Sequence, residues 1–131
     1  MNNIKINQSM SNLKRALSRL EEALNISTDN PVIVDATIQR FEFVIELYWK
    51  TLKRLLAQGG IQTDTPRDTL KKAYAAGWIK NEIPWLQMLR DRNETSHVYD
   101  EKKAEEIYQH IRNNFSELQS TFEFLTRRSK Q

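Results

Sequence analysis

Apolar residues recur at steps of three and four along most of the chain, a spacing that keeps side chains on one face of an α-helix. The first stripe comprises Met10, Leu13, Leu17, Leu20 and Leu24. A second stripe runs from Val34 to Leu55, and a third runs from Ala104 to Leu125 over about six turns. These three stripes predict three long amphipathic helices.

Residues typical of helix ends separate the stripes and mark out two shorter helices. In chain order they are Pro31, Gly59-Gly60, Thr65-Pro66, Gly77, the segment 81–84 and Asp100. No segment has the alternating period of a strand. About five helices with short connections predict an all-α, antiparallel bundle of four-helix type, and we expect residues 1–131 to form a single domain.

The middle of the second long helix is apolar almost all the way round, from Phe41 to Trp49. A helix with two apolar faces has to be buried on two sides. We therefore expect this helix to lie at the centre of the bundle and also to meet a second copy of the chain. The homodimer prediction rests on Phe43, Val44 and Leu47, for which an isolated bundle offers no cover.

Composition narrows the protein class further. A chain of 131 residues with 3 Gly and 3 Pro does not suit a turn-rich β-fold, and the lack of Cys excludes disulfides and a cysteine nucleophile. No apolar run approaches the roughly 20 residues that span a bilayer, and the N-terminus does not resemble a signal peptide. The expected location is the cytoplasm, with no membrane partner. A net charge of +3 is weak evidence for nucleic acid.

Metal and cofactor motifs are not found in the sequence. It contains no His pair at metal-ligand spacing, no Gly-rich phosphate loop and no Ser nucleophile motif. We predict neither a metal nor a cofactor. Of the 2 His in the chain, His110 falls inside the last helix and is expected on its surface.

The segment 91–100 is dense in polar groups. On a straight helix Arg92 and His97 would point about 140° apart, so they converge only if the helix ends between them, which Thr95 and Ser96 favour. Arg suits phosphate and His exchanges protons near neutral pH, a sufficient pair for metal-independent RNA cleavage. Since one His does not serve well as both base and acid, a dimer with two motifs in one cleft fits this chemistry better.

Two neighbours of Arg92 are candidate supporting residues. Asn93 is expected to orient His97 or to donate to phosphate, and Asp91 is expected to hold Arg92. The spacing alone is also compatible with a solvated Arg, a surface His and an ordinary Tyr99 before a helix cap.

A longer string of residues adds a family resemblance. The string consists of Trp85-Leu86, Met88-Leu89, Asp91-Arg92-Asn93, Thr95-Ser96-His97 and Tyr99, followed by Glu105-Glu106-Ile107-Tyr108. It resembles the nucleotidyltransferase substrate-binding family, which belongs with the minimal HEPN domains and lies close to the HepT-type toxins. Arg92, Asn93, His97 and Tyr99 match the hallmark positions of that family.

The resemblance implies a helical homodimer encoded beside a minimal nucleotidyltransferase. In the toxin members the Arg and His are ribonuclease residues, and the partner enzyme silences them by adding AMP to the Tyr that corresponds to Tyr99. We therefore predict a metal-independent endoribonuclease of a toxin–antitoxin pair, with RNA as substrate. A non-catalytic substrate-binding subunit of the nucleotidyltransferase is the alternative, and a purely structural helical dimer is a third.

Overall fold

Five α-helices make up most of residues 3–95 and 100–129, which are the residues that the computed structural model describes. They are α1 (Asn3–Leu24), α2 (Pro31–Gln58), α3 (Pro66–Ala75), α4 (Glu82–Glu94) and α5 (Glu101–Ser129). The predicted all-α class with about five helices is confirmed. None of the helices in the described residues combines the length and apolar character that a membrane-spanning helix requires.

The helices begin and end where the local sequence signals place them. The Asn30 side chain accepts a hydrogen bond from the backbone amide two residues later at 3.0 Å, at the start of α2. The Thr65 hydroxyl accepts one from the amide three residues later at 3.1 Å. At the start of α5, the Asp100 carboxylate accepts one from the amide two residues later at 2.9 Å. After α2 and α3, Gly60 and Gly77 adopt φ angles of 88° and 81°, which residues with a side chain rarely adopt.

Helix α2 is the centre of the bundle, as predicted, and it contacts each of the other four helices. Its Tyr48 is buried and donates a hydrogen bond to the Leu118 carbonyl oxygen of α5 at 2.8 Å. The same ring meets Trp85 of α4 edge to face, with ring centroids 4.8 Å apart. One aromatic residue thus joins α2 to both α4 and α5.

Two of the three residues that suggested a dimer are covered within one chain. Val44 is fully buried in the core, and Leu47 packs against this core. The prediction that these two residues need a second subunit is therefore wrong. The reason is that helices on both sides of α2 cover both of its apolar faces. Of these three residues, only Phe43, with 62 % of its surface exposed, stays uncovered in the single chain.

Candidate functional site

The polar segment identified in the sequence begins on the last turn of α4. This helix ends at Glu94, so the predicted helix end between Arg92 and His97 is confirmed. The Thr95 hydroxyl donates a hydrogen bond to the Arg92 carbonyl oxygen at 2.8 Å, as does the Thr95 backbone amide. The Thr95 hydroxyl thus competes with backbone donors for a carbonyl oxygen of the helix, as expected of a Thr side chain.

His97 and Tyr99 lie outside the described residues, as does Ser96. The convergence of Arg92 and His97 therefore stays a prediction, and so does the role of Tyr99. The described part of the site is the end of α4 and the helices that surround it.

Arg92 is held by α2. Its guanidinium forms an ion pair with Glu46, and its second terminal nitrogen donates to the Asn93 side-chain oxygen at 3.1 Å. Glu46 also pairs with Lys50, one turn along α2, at 3.2 Å. Partial burial would raise the pKa of Glu46, but the hydrogen bond from Lys50 and the charge of Arg92 outweigh burial and lower this pKa. Arg92 therefore has an ionised carboxylate beside it at neutral pH.

An open groove of about 620 Å³ runs past this ion pair along α1 and α2. Its charged lining residues are Arg19, Arg40, Glu42, Glu46 and Arg92. Three cations and two anions leave the groove with one excess positive charge. The exposed ring of Phe43 also lines it. The groove therefore offers guanidinium groups and an aromatic face, the two kinds of group that bind phosphate and nucleobases.

Asp91 binds His110 of α5 and not Arg92, so the predicted partner of Asp91 is wrong. The side chain of Asp91 is buried, and both of its oxygens lie 3.1 Å from Nδ1 of His110. Consecutive residues on a helix point about 100° apart, which sends Arg92 towards α2 and Asp91 towards α5. Burial raises the pKa of Asp91, although the hydrogen bond with His110 opposes this effect.

His110 and Glu46 are the residues of this region that the sequence analysis missed. His110 was expected on the helix surface, but it is half-buried against the Asp91 carboxylate. The sequence contains a feature that could have identified Glu46, because this residue is the only charged one in the apolar run 43–49. A charged residue inside such a run commonly has a partner, since an unpaired buried charge is costly.

Among the described residues, no group of three or more His, Cys, Asp or Glu side chains is arranged to hold a metal ion. The groove at Arg92 instead presents cationic groups, which suit an anionic ligand.

Comparisons with known proteins give a consistent result. A family model described as "Nucleotidyltransferase substrate binding protein like" matches residues 8–128. A Haemophilus influenzae protein named Probable ribonuclease HepT is 39 % identical over 84 residues, which are 60 % of this chain and 58 % of that protein. The chain therefore spans about three fifths of the length of this relative.

Two solved structures resemble most of the chain. A crystal structure of a protein from Thermus thermophilus is 28 % identical, with a TM-score of 0.77 over 91 % of this chain and 99 % of that one. The structure of HI0074 from Haemophilus influenzae, described as the fold of a substrate-binding domain of a nucleotidyltransferase, is also 28 % identical. Its TM-score is 0.68 over 96 % of this chain and 99 % of that one.

Proposed function

Since the chain belongs to the nucleotidyltransferase substrate-binding protein-like family, we propose that it is a HepT-like HEPN component of a two-protein, toxin–antitoxin type system. In this system a single helical domain of residues 1–131 is a metal-independent endoribonuclease, and its partner is a minimal nucleotidyltransferase encoded nearby. Both proteins act in the cytoplasm, where RNA is available. The identity to Probable ribonuclease HepT supports the ribonuclease activity.

The observation that carries the proposal is the placement of Arg92. Its guanidinium stands on the last turn of α4, paired with Glu46 and lining an open groove, and the helix ends just before the segment that contains His97. A guanidinium presented in a groove binds a phosphodiester through paired hydrogen bonds.

RNA supplies its own nucleophile for this reaction. His97 removes the proton of a ribose 2′-hydroxyl, the 2′-oxygen attacks the adjacent phosphorus, and the bond to the 5′-oxygen breaks. The leaving oxygen takes up a proton, and the products are a cyclic phosphate and a free 5′-hydroxyl. Arg92 stabilises the negative charge that develops on the phosphate oxygens.

A second copy of the chain completes the site in this proposal. One chain contains one His97, whereas the reaction needs a proton acceptor and a proton donor. A homodimer that faces two motifs across one cleft supplies both groups. The exposed Phe43 beside Arg92 in the groove supports an interface on this side of α2.

Tyr99 is the proposed control point. Its hydroxyl oxygen attacks the α-phosphorus of ATP in the partner nucleotidyltransferase, and the bond to the β-phosphate breaks with release of pyrophosphate. The added AMP places a negative phosphate near Arg92 and blocks the phosphate site. Mass spectrometry after incubation with the partner and ATP should show the mass of AMP on the wild type. Equal modification of the Tyr99→Phe variant would refute this site.

The alternative is a non-catalytic subunit that presents a substrate to the nucleotidyltransferase. The description of the HI0074 structure as a substrate-binding domain favours this reading. In that case the groove at Arg92 binds a phosphate-containing substrate but does not cleave it.

RNA cleavage in EDTA distinguishes the two functions. The purified protein is incubated with RNA, and the wild type is compared with Arg92→Ala and His97→Ala, with folding checked by circular dichroism. The ribonuclease reading expects cleavage by the wild type and a loss of at least about a hundredfold in each variant, in line with removal of one catalytic group.

Two results would exclude the ribonuclease. The first is a wild type that cleaves no RNA, which favours the binding subunit. The second is cleavage that survives both substitutions, which assigns the activity to a contaminant.

A further inference from the structure

The last turn of α4 contains a buried polar pair that the proposed cleavage chemistry does not use. Asp91 directly precedes Arg92 in the chain, and its side chain is only 5 % exposed. Both of its oxygens lie 3.1 Å from Nδ1 of His110 on α5. Because an ionised carboxylate only accepts hydrogen bonds, Nδ1 carries the ring proton and donates the hydrogen bond. The pair is therefore a charge-assisted link between α4 and α5.

Stability alone does not explain a polar pair at this position. Two apolar side chains would cover the same contact without removing a carboxylate from water. The surroundings are apolar, since the core includes Met88, Leu89, Ile107 and Ile111. A buried polar pair between packed helices fixes their register in some proteins, because apolar contacts alone permit sliding and rotation. This role suits a pair on the last turn of a helix.

Arg92 belongs to the helical turn that this pair holds. Consecutive residues on an α-helix point about 100° apart, so Asp91 reaches α5 while Arg92 reaches Glu46 of α2 and the groove. The helix ends at Glu94, and a terminal turn has fewer backbone hydrogen bonds than the middle of a helix. Tertiary contacts therefore set the position of this turn. Glu46 pairs with the guanidinium, whereas His110 holds the backbone from which the side chain projects.

We propose that His110 is a positioning residue for the guanidinium of Arg92. It acts through Asp91, by holding the last turn of α4 in the rotation that directs Arg92 into the groove. His110 does not line the groove, so it contacts no ligand there. The effect on cleavage rests on the proposed ribonuclease function, whereas the effect on the position of Arg92 is a property of the free protein.

Loss of this hydrogen bond should lower kcat more than it raises KM. In the proposed reaction Arg92 stabilises charge that develops on the phosphate in the transition state, and a small misplacement of such a group is costly. For His110→Leu we expect a kcat about tenfold lower for RNA cleavage in EDTA, with KM changed by less than about twofold. His110→Asn keeps an N–H donor near the position of Nδ1 and should recover most of the rate. The rates are measured well below the melting temperature of each variant.

Asn114→Leu is the matched control for a general loosening of the contact between α4 and α5. Asn114 lies one turn further along α5 than His110, and its side-chain amide donates to the Gln87 side-chain oxygen of α4 at 2.8 Å. This hydrogen bond joins the same two helices but lies more than one turn before Arg92. The control variant should therefore cleave RNA with the kcat of the wild type.

The Nε–H signal of Arg92 in NMR spectra reports the position of the guanidinium without any catalysis. This signal should shift in His110→Leu and stay at its wild-type position in His110→Asn and Asn114→Leu. A wild type that does not cleave RNA would refute the ribonuclease, and the Arg92 signal would still test the role of His110. An unchanged Arg92 signal in His110→Leu, an equal loss of kcat in Asn114→Leu, or no recovery in His110→Asn would overturn the inference.

Discussion

Asp91 and Arg92 are adjacent in the chain, yet their partners lie on different helices and the two contacts have different effects. Arg92 pairs with Glu46 of α2 and lines the groove, whereas Asp91 is buried against His110 of α5. The pair with Glu46 orients a guanidinium that is open to a ligand. The pair with His110 contains a buried carboxylate that faces away from the groove. The two contacts should therefore respond differently to substitution.

Replacement of Glu46 by Gln should lower RNA cleavage about tenfold while leaving the fold intact. The uncharged amide no longer holds the guanidinium of Arg92 in one orientation, and misplacement of a catalytic group is costly. The measurement is the cleavage rate of RNA in EDTA, with melting curves to check folding. Glu42→Gln is the matched control, because Glu42 lines the same groove one turn earlier and does not pair with Arg92. Equal rates in both variants would show that Glu46 does not position Arg92.

At the scale of elements, the C-terminal end of α4 is fastened to two neighbouring helices by polar contacts. One contact is the Arg92–Glu46 pair with α2. Two others reach α5: the Asp91–His110 pair, and the Glu94–Lys103 ion pair at 2.9 Å. These contacts surround the end of the helix from which the motif continues. They make the position of that end depend on α5 as well as on α2.

His110→Ala should lower the free energy of unfolding by about 2 kcal/mol at neutral pH, because it leaves the buried Asp91 carboxylate without its partner. Asp91→Asn should cost less, since a neutral amide is cheaper to bury and can still accept from the ring. Urea unfolding measures both values. Asn113→Ala, at an exposed position on the same helix, should change stability by less than about 0.5 kcal/mol. A loss in His110→Ala no larger than this control would contradict the assigned role.

The same pair predicts a pH dependence with a definite sign. Burial raises the pKa of Asp91 above its ordinary 3.8, with the hydrogen bond to His110 opposing. Because the pKa of Asp91 is raised in the folded state, the folded protein keeps this proton at pH values where the unfolded chain has lost it. The stability that this proton contributes is therefore lost as the pH rises through the raised pKa. His110→Ala removes the opposing contact. Its destabilisation should therefore be larger at pH 7 than near pH 4, and an equal loss at both would contradict this cause.

At the scale of the whole molecule, one chain is sufficient to bury its own core. Helix α2 contacts all four other helices, and Tyr48 ties it to α4 and α5 through a ring contact and a hydrogen bond. The apolar surface that suggested a second subunit is therefore reduced to Phe43. In the proposed homodimer, the interface lies on the groove side of α2, where this ring and Arg92 lie together.

Phe43→Glu should convert the proposed homodimer to a monomer, because it places a charge at the centre of the expected interface. Light scattering after gel filtration should give twice the chain mass for the wild type and one chain mass for the variant. Ile83→Glu is the control, since Ile83 is 82 % exposed on α4 and does not line the groove. A monomeric wild type would refute the dimer, and a dimeric Phe43→Glu would place the interface elsewhere.

The sequence by itself determined the helices, their order and many of their ends. Asn30 with Pro31, Thr65 with Pro66, and Asp100 each act on backbone groups within two or three residues. Such signals can be predicted because all of their atoms belong to one short segment. The end of α4 after Arg92 was predictable for the same reason, since Thr95 hydrogen-bonds within its own turn.

Only the tertiary structure decided which side chains pair with each other and which apolar side chains are buried. Glu46 lies 46 residues before Arg92 and His110 lies 19 residues after Asp91, so no local pattern relates them. Val44 is buried within one chain because four helices surround α2, which helical periodicity does not reveal. A side chain's direction on its helix is set locally, but what it meets depends on how the helices pack.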